Sequence, residues 1–209
     1  MDNTTLLIVF QLVVLLFSVM LHEISHGLMA LRLGDQTAKD AGRLTLNPIS
    51  HLDPFGSVML PLLLTLTHSP VVLGWAKPVP YNPNALYKDF RYGPLKVALA
   101  GPLSNLALAL FFGLIIRFGM GFLGSTILGF LSIIVLMNCF LAVFNLVPIP
   151  PLDGSKILSA VLPRRYAYMV ENIGLGGVLV VVLFLYFFGS VITVPAEALF
   201  RLFTGVGAL

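Results

Sequence analysis

Long apolar runs, separated by polar loops, dominate the pattern of this chain. A membrane-spanning helix needs about 20 consecutive apolar residues. Four runs reach or approach that length: residues 6–33, 97–118, 123–147 and, roughly, 173–194. A fifth run, 58–73, is shorter and is interrupted by Pro61 and Pro70. The pattern therefore predicts an all-α polytopic membrane protein with about four transmembrane helices and one re-entrant or interfacial segment.

Two polar stretches, 34–57 and 74–95, separate the first long run from the second. The letters AGRLTLNP in the first stretch predict a short cytoplasmic β-hairpin, and AKPVPYNP in the second favours extended backbone. An exposed strand edge at 42–47 or 79–82 would hold an extended substrate by strand addition. Because the chain has no linker, repeat or long charge run, we expect one domain over residues 1–209.

Composition and charge place the chain in lipid. Hydrophobic residues make up 58% of it and charged residues 10%, whereas a soluble domain averages about 25% charged residues. The net charge of +3 is too small to suggest nucleic acid. Most basic residues lie between the first two long runs or shortly after the third. The positive-inside rule then predicts a multi-pass protein of the cell membrane, with its N-terminus outside and these loops in the cytoplasm.

The first long run contains the motif His22-Glu23-Ile24-Ser25-His26. Residues four apart share one face of a helix, so two imidazoles at this spacing can bind one Zn²⁺ with the glutamate beside the attacking water. A charged residue in a membrane span costs roughly 2.5–3.5 kcal/mol. A bound metal accounts for this polarity better than incidental placement does, and the motif lies near the cytoplasmic end of the run.

Asp153 is the best candidate for a third ligand. It directly follows an apolar run in NLVPIPPLDGSKIL, where the prolines break the helix. Irregular backbone at membrane depth is tolerated only where it faces protein or a water-filled cavity. The alternative reading is an Asp-Gly turn at a helix end, and His51 and His68 read as polar loop residues. Asp153 reaches the depth of the histidines only if 58–73 does not cross the bilayer.

Two asparagines in or beside apolar runs, Asn105 and Asn145, complete the candidate set. A buried amide must find hydrogen-bond partners. Each can tie helices together. Alternatively, one or both bind the substrate backbone or the developing oxyanion.

HEISHG, AGPLSN and NLVPIPPLDG occur in this order from about Leu21 to Leu158. Together they resemble the site-2 protease family of intramembrane zinc metalloproteases, and GRLTLNPISHLDPFGS and GWAKPVPYNP are similar to its short prokaryotic branch without a PDZ or CBS domain. The resemblance implies His22, His26 and Asp153 as ligands of one Zn²⁺ per chain and Glu23 as catalytic base. It also implies membrane-spanning protein substrates, cut within or near the bilayer.

Two alternatives stay open at this point. One is a zinc-binding membrane transporter or scaffold without protease activity, which would not need the base Glu23. The other is a different membrane metalloprotease type, with Glu171 or Glu197 as third ligand. The sequence names neither the substrate nor the oligomeric state, and it is compatible with a homo-oligomer.

Overall fold

The computed structural model describes residues 3–53, 56, 59, 77–163, 165, 170 and 176–206. Its helices are α1 (Asn3–Leu33), α2 (Thr37–Asp40), α3 (Gly93–Gly119), α4 (Ser125–Asn145), α5 (Asp153–Val161), α6 (Gly176–Phe188) and α7 (Ser190–Thr204). Three of them, α1, α3 and α4, are long and apolar enough to cross a membrane, and α6 with α7 makes a fourth crossing if the pair is one span. The predicted multi-span helical architecture is confirmed.

Helix α3 lies at the centre of the bundle and packs against α1, α4, α5 and α7. The end of α1 meets the loop before α3, where Lys88 N donates to Leu33 O at 3.1 Å. Ala30, Leu86 and Val97 form a small apolar cluster at the same place. Helices α1 and α3 are therefore antiparallel, and the second half of α1 packs against the first half of α3.

The fourth apolar run does not form one continuous helix over its described residues. Helix α6 ends at Phe188, and α7 begins at Ser190 after a bend of 71°. A Cβ at Gly189 would lie 2.9 Å from Leu185 O, so this close turn favours glycine. Beyond the bend, α7 buries residues four positions apart against α3 and α4: Ile192, Ala196, Phe200 and Thr204. The chain of the fourth run is thus bent at Gly189, and α7 packs against the bundle beyond the bend.

The predicted β-hairpin is also absent from the described residues of 34–57, which contain α2, bends at 44–46 and a 3₁₀ turn at Pro48–His51. His51 Nε2 donates to Thr45 O at 2.9 Å, so a side chain binds a carbonyl that a strand partner would otherwise bind. Arg43 turns inward and is buried, which also removes the alternation that a strand needs. The proposed strand edge at 42–47 is therefore not formed. Apart from residue 59, the segment 58–73 lies outside the described residues.

Candidate metal centre

The second half of α1 carries two buried imidazoles on one face. His22 and His26 are four positions apart on a continuous helix, which makes them neighbours on its surface. Their Nε2 atoms lie 3.0 Å apart, and the side chains are 6% and 8% exposed. Both contact α3, at Asn105 and Val97, so they point into the bundle rather than toward lipid.

Asp153 reaches the same place from the start of α5. The chain leaves α4, turns through residues 146–152 and begins α5 at Asp153. Gly154 allows the turn to close tightly, because a Cβ there would collide with the carbonyl oxygens of Leu146 and Val147. Glycine is thus required at position 154, because the start of α5 lies directly against the main chain at the end of α4.

The three side chains form a compact donor set. Asp153 Oδ2 lies 2.9 Å from His22 Nε2 and 3.0 Å from His26 Nε2. Ligand atoms around a tetrahedral Zn²⁺ with bonds of about 2.0–2.1 Å are roughly 3.3 Å apart, so only small shifts separate the two arrangements. This is the only group of His, Cys, Asp and Glu among the described residues that could hold a metal ion.

Gly101 on α3 leaves space beside these donor atoms. A Cβ at this position would lie 2.5 Å from His22 Nε2 and would also collide with His26 Nε2. A side chain would thus occupy the region toward which both nitrogens point. The donor set, with no side chain of α3 placed against its nitrogens, fits a metal ion.

Each imidazole is also held by its other nitrogen. His22 Nδ1 donates to Asn105 Oδ1 at 2.6 Å, and His26 Nδ1 donates to Val97 O at 2.6 Å. Because both partners are oxygen acceptors, each Nδ1 carries the proton and each Nε2 keeps a free lone pair. This tautomer is the one that binds metal through Nε2, and such outer hydrogen bonds orient metal-binding histidines.

Asn105 belongs to a buried hydrogen-bond network whose second asparagine, Asn138, is not among the predicted site residues. Asn105 Nδ2 donates to Asn138 Oδ1 at 2.9 Å, and Asn138 Nδ2 donates to Ser18 Oγ at 3.0 Å and Ile134 O at 2.9 Å. Both asparagines are 0% exposed. We call Ser18, Asn105 and Asn138 the span network, since they join α1, α3 and α4. The sequence does indicate Asn138 in one respect, because it places a polar amide inside an uninterrupted apolar run.

The two predicted asparagines therefore occupy different places. Asn105 contacts His22 directly, on the ring nitrogen that faces away from Asp153. Asn145 is half-buried and donates to Leu141 O on its own helix at 2.9 Å. The substrate or oxyanion role of both residues stays a prediction.

Glu23 lies beside the histidines on α1 and is half-buried. Its Oε2 accepts a hydrogen bond from Val79 N at 2.8 Å. Val79 belongs to an irregular segment, residues 77–82, that we call the strap. The carboxylate is thus held by main chain from a loop, whereas the imidazoles are held from α3.

Two buried charged side chains fix the ends of the strap. Arg43 Nη2 donates to Lys77 O at 2.7 Å, and Asp35 Oδ2 accepts from Asn82 N at 2.6 Å. Burial alone would raise the pKa of Asp35, but the hydrogen bonds from Thr37 and Asn82 hold this pKa below its usual value. Arg43 and Asp35 therefore connect the chain after α1 to the segment that contacts Glu23.

The remaining ligand candidates lie elsewhere. His51 is buried in its loop, where it contacts Thr45 O, and it is not part of the donor set. Glu197 is exposed on α7 and forms a 3.8 Å ion pair with Arg201. Outside the described residues lie His68 and Glu171.

Fold and site together define a class of protein. It is a multi-pass helical membrane protein with two histidines and one carboxylate converging inside the bundle, next to a second carboxylate. Three protein ligands with a remaining open position are typical of catalytic zinc sites in hydrolases.

Comparison with known proteins gives the family. A sequence profile of peptidase family M50 matches residues 121–189. YwhC of Bacillus subtilis, which carries the name of a zinc metalloprotease, is 36% identical over 210 residues, covering 94% of this chain and 92% of its own length. Rip2 of Mycolicibacterium smegmatis, similarly named, is 36% identical over 149 residues, covering 66% of this chain and 52% of its own length. No solved structure shows significant similarity to the chain.

The chain belongs to peptidase family M50, the site-2 protease family of zinc metalloproteases. It is a multi-pass membrane protein with a zinc cofactor, and it acts on protein substrates in a lipid environment. The resemblance seen in its motifs is thereby confirmed.

Proposed function

We propose that this chain is an intramembrane zinc endopeptidase that hydrolyses peptide bonds of membrane-spanning proteins within or near the bilayer. In this proposal, His22, His26 and Asp153 bind one Zn²⁺, and Glu23 is the general base. The observation that carries the proposal is the convergence of the two Nε2 atoms and Asp153 Oδ2 within 3.0 Å. All three donors come from one chain, so a second copy is not needed to complete the site.

The chain's own residues suit hydrolysis. Zinc, when bound, supplies Lewis acidity and lowers the pKa of bound water toward about 7. Glu23 accepts the proton of the attacking water as the new C–O bond forms, and it then transfers the proton to the leaving nitrogen as the C–N bond breaks. Because Val79 N donates to Oε2, we assign this transfer to Glu23 Oε1. Gly101 lets α3 approach the donor nitrogens without a side chain between them.

A helical substrate presents a difficulty, because its carbonyl groups are bonded within the helix. The scissile segment must therefore unwind locally before attack. The positions of basic residues support a cytoplasmic location for the site: Lys88 Nζ contacts Arg32 O at the end of α1, near the strap. By the positive-inside rule, this end of the bundle faces the cytoplasm of a cell membrane.

The test compares metal content and cleavage in detergent-purified protein. Wild type and Glu23→Gln should each bind one zinc, whereas His22→Ala and Asp153→Ala should lose it. A library of single-span peptides in the same detergent, analysed by mass spectrometry, should yield products with wild type and none with Glu23→Gln.

Other results would contradict the proposal in recognisable ways. Zinc retained by Asp153→Ala would place the third ligand elsewhere. Equal zinc uptake into proteoliposomes by wild type and Glu23→Gln, without any cleavage product, would replace the protease by a transporter.

A further inference from the structure

The two oxygens of Asp153 have separate partners. Oδ2 faces the two histidines at 2.9 and 3.0 Å, whereas Oδ1 accepts a hydrogen bond from Lys156 Nζ at 3.0 Å. Asp153 and Lys156 are three positions apart on α5, a spacing that brings side chains together on a helix. The ammonium group therefore lies on the oxygen that does not face the imidazoles.

This arrangement bears on how the carboxylate can bind a metal. A carboxylate binds a divalent cation through one oxygen or through both, and the choice changes the coordination number. Zinc with two histidines, one carboxylate oxygen and one water is four-coordinate. Engagement of Oδ1 by an ammonium group opposes binding through that oxygen, because one of its two lone pairs is used and the positive charge repels the metal.

The exposure of Lys156 differs from that of its partner. The Lys156 side chain is 44% exposed, whereas the Asp153 side chain is 6% exposed, so the ammonium group reaches from the surface to a buried carboxylate. Lys156 also lies near the N-terminus of α5, where the helix dipole disfavours positive charge.

We propose that Lys156 is a positioning residue that keeps Asp153 bound to zinc through Oδ2 alone, and so keeps the fourth position free for water. The proposal rests on the metal site proposed above. Lys156 acts through Asp153 and does not itself contact the metal. Its loss lets Oδ1 approach the metal and compete with the water.

Cobalt substitution measures this effect directly. Four-coordinate Co²⁺ absorbs visible light more strongly than five-coordinate Co²⁺, so the spectrum reports the second carboxylate oxygen. We expect an intense spectrum for wild type, a weaker one for Lys156→Met, and recovery in Lys156→Arg, which restores the charge. Cleavage by zinc-loaded Lys156→Met should fall by about 10- to 100-fold, the usual effect of removing a partner of a metal ligand.

Lys96→Met is the matched control. Lys96 forms the other close Lys–Asp pair of the described residues, at 2.7 Å from Asp89 and outside the donor set. It should keep the wild-type spectrum and activity. If Lys156→Met does not give monodisperse protein, Lys156→Gln is used with the same readouts.

The outcomes separate this inference from the proposed function. A Lys156→Met spectrum equal to that of wild type, or an equal change in Lys96→Met, would overturn the role of Lys156. No cobalt spectrum in wild type, or one unchanged in Asp153→Asn, would instead overturn the metal site.

Discussion

The histidines and the glutamate of one motif are supported by two different regions. His22 is fixed by the span network, whose members Asn105 and Asn138 are 0% exposed and lie on long helices. Glu23 is fixed by the strap, through a main-chain N–H of a loop. The first region consists of side-chain amides between packed helices, and His26 is held by a main-chain carbonyl of α3, Val97 O. The second consists of irregular backbone held by charged side chains.

This difference suggests that metal binding and proton transfer have separate supports. Ligands need fixed geometry, which rigid helices provide better than loops. A base must lose and regain a proton while a substrate enters, so some freedom in its support is compatible with its task. Substitutions in the span network should therefore change zinc affinity, and substitutions at the strap should change turnover in protein that keeps its zinc.

The largest effect is expected for Gly101→Ala. The added Cβ would collide with Nε2 of both histidines, and these rings cannot easily move because each Nδ1 is hydrogen-bonded. Zinc affinity, measured by competition with a chelator, should fall by about 100-fold. Gly129→Ala is the control, because a Cβ there meets nothing within 4 Å. Wild-type affinity in Gly101→Ala would show that the ligands do not occupy this space.

A smaller loss of affinity is expected for Asn138→Leu, a change of similar volume within the span network. It leaves Asn105 Nδ2 with only its longer hydrogen bond, to Ser18 O at 3.4 Å, so the amide that binds His22 is less firmly oriented. Zinc affinity should fall about tenfold, with unchanged turnover per bound zinc. Cys139→Ala, which truncates the neighbouring buried side chain, controls for lost packing. Lower turnover at full zinc occupancy would instead show that the two regions are coupled.

Arg43→Met tests the strap. The variant removes the 2.7 Å hydrogen bond to Lys77 O, so the segment that donates Val79 N–H to Glu23 is less well fixed. Zinc content should stay at one per chain while kcat falls about tenfold, since small misplacements of a catalytic group are costly. Lys39→Met, a change at an exposed position of α2, is the control. Loss of zinc in Arg43→Met would contradict the separation of the two supports.

The sequence predicts the first region better than the second. Run length alone predicts the three long helices, and helical spacing places His22 and His26 on one face. The contact of Asn138 with Asn105 depends on how α3 and α4 pack, which local pattern does not specify. The hairpin prediction failed because Arg43 turns inward to bind strap carbonyls, a long-range contact with no local signal. The bend at Gly189 likewise depends on the packing of α7 against α3 and α4.

The smallest effect is expected at the far end of the strap, in Asp35→Asn. Asp35 accepts hydrogen bonds from Asn82 N at 2.6 Å and Thr37 N at 2.9 Å, and its pKa in the folded protein lies below its usual value. A carboxyl whose pKa is lowered by folding stabilises the folded state above its unfolded pKa of about 3.9, and this contribution is lost as pH falls through the folded pKa.

At pH 7, Asp35→Asn should therefore lower Tm by about 2–4 °C, which corresponds to the loss of roughly 1 kcal/mol for a chain of this size. The difference between wild type and variant should begin to shrink in a thermal unfolding series below about pH 4, where Asp35 is protonated in the unfolded state, and it should vanish once the folded carboxylate is protonated at still lower pH. Asp40→Asn, at an exposed carboxylate of α2, controls for the general effect of charge. A Tm difference that is the same at pH 7 and at low pH would mean that Asp35 holds the strap by shape rather than by its charge. In that case the strap would resemble the span network, where neutral amides provide the support, and the remaining contrast between the two regions would be irregular backbone against helix.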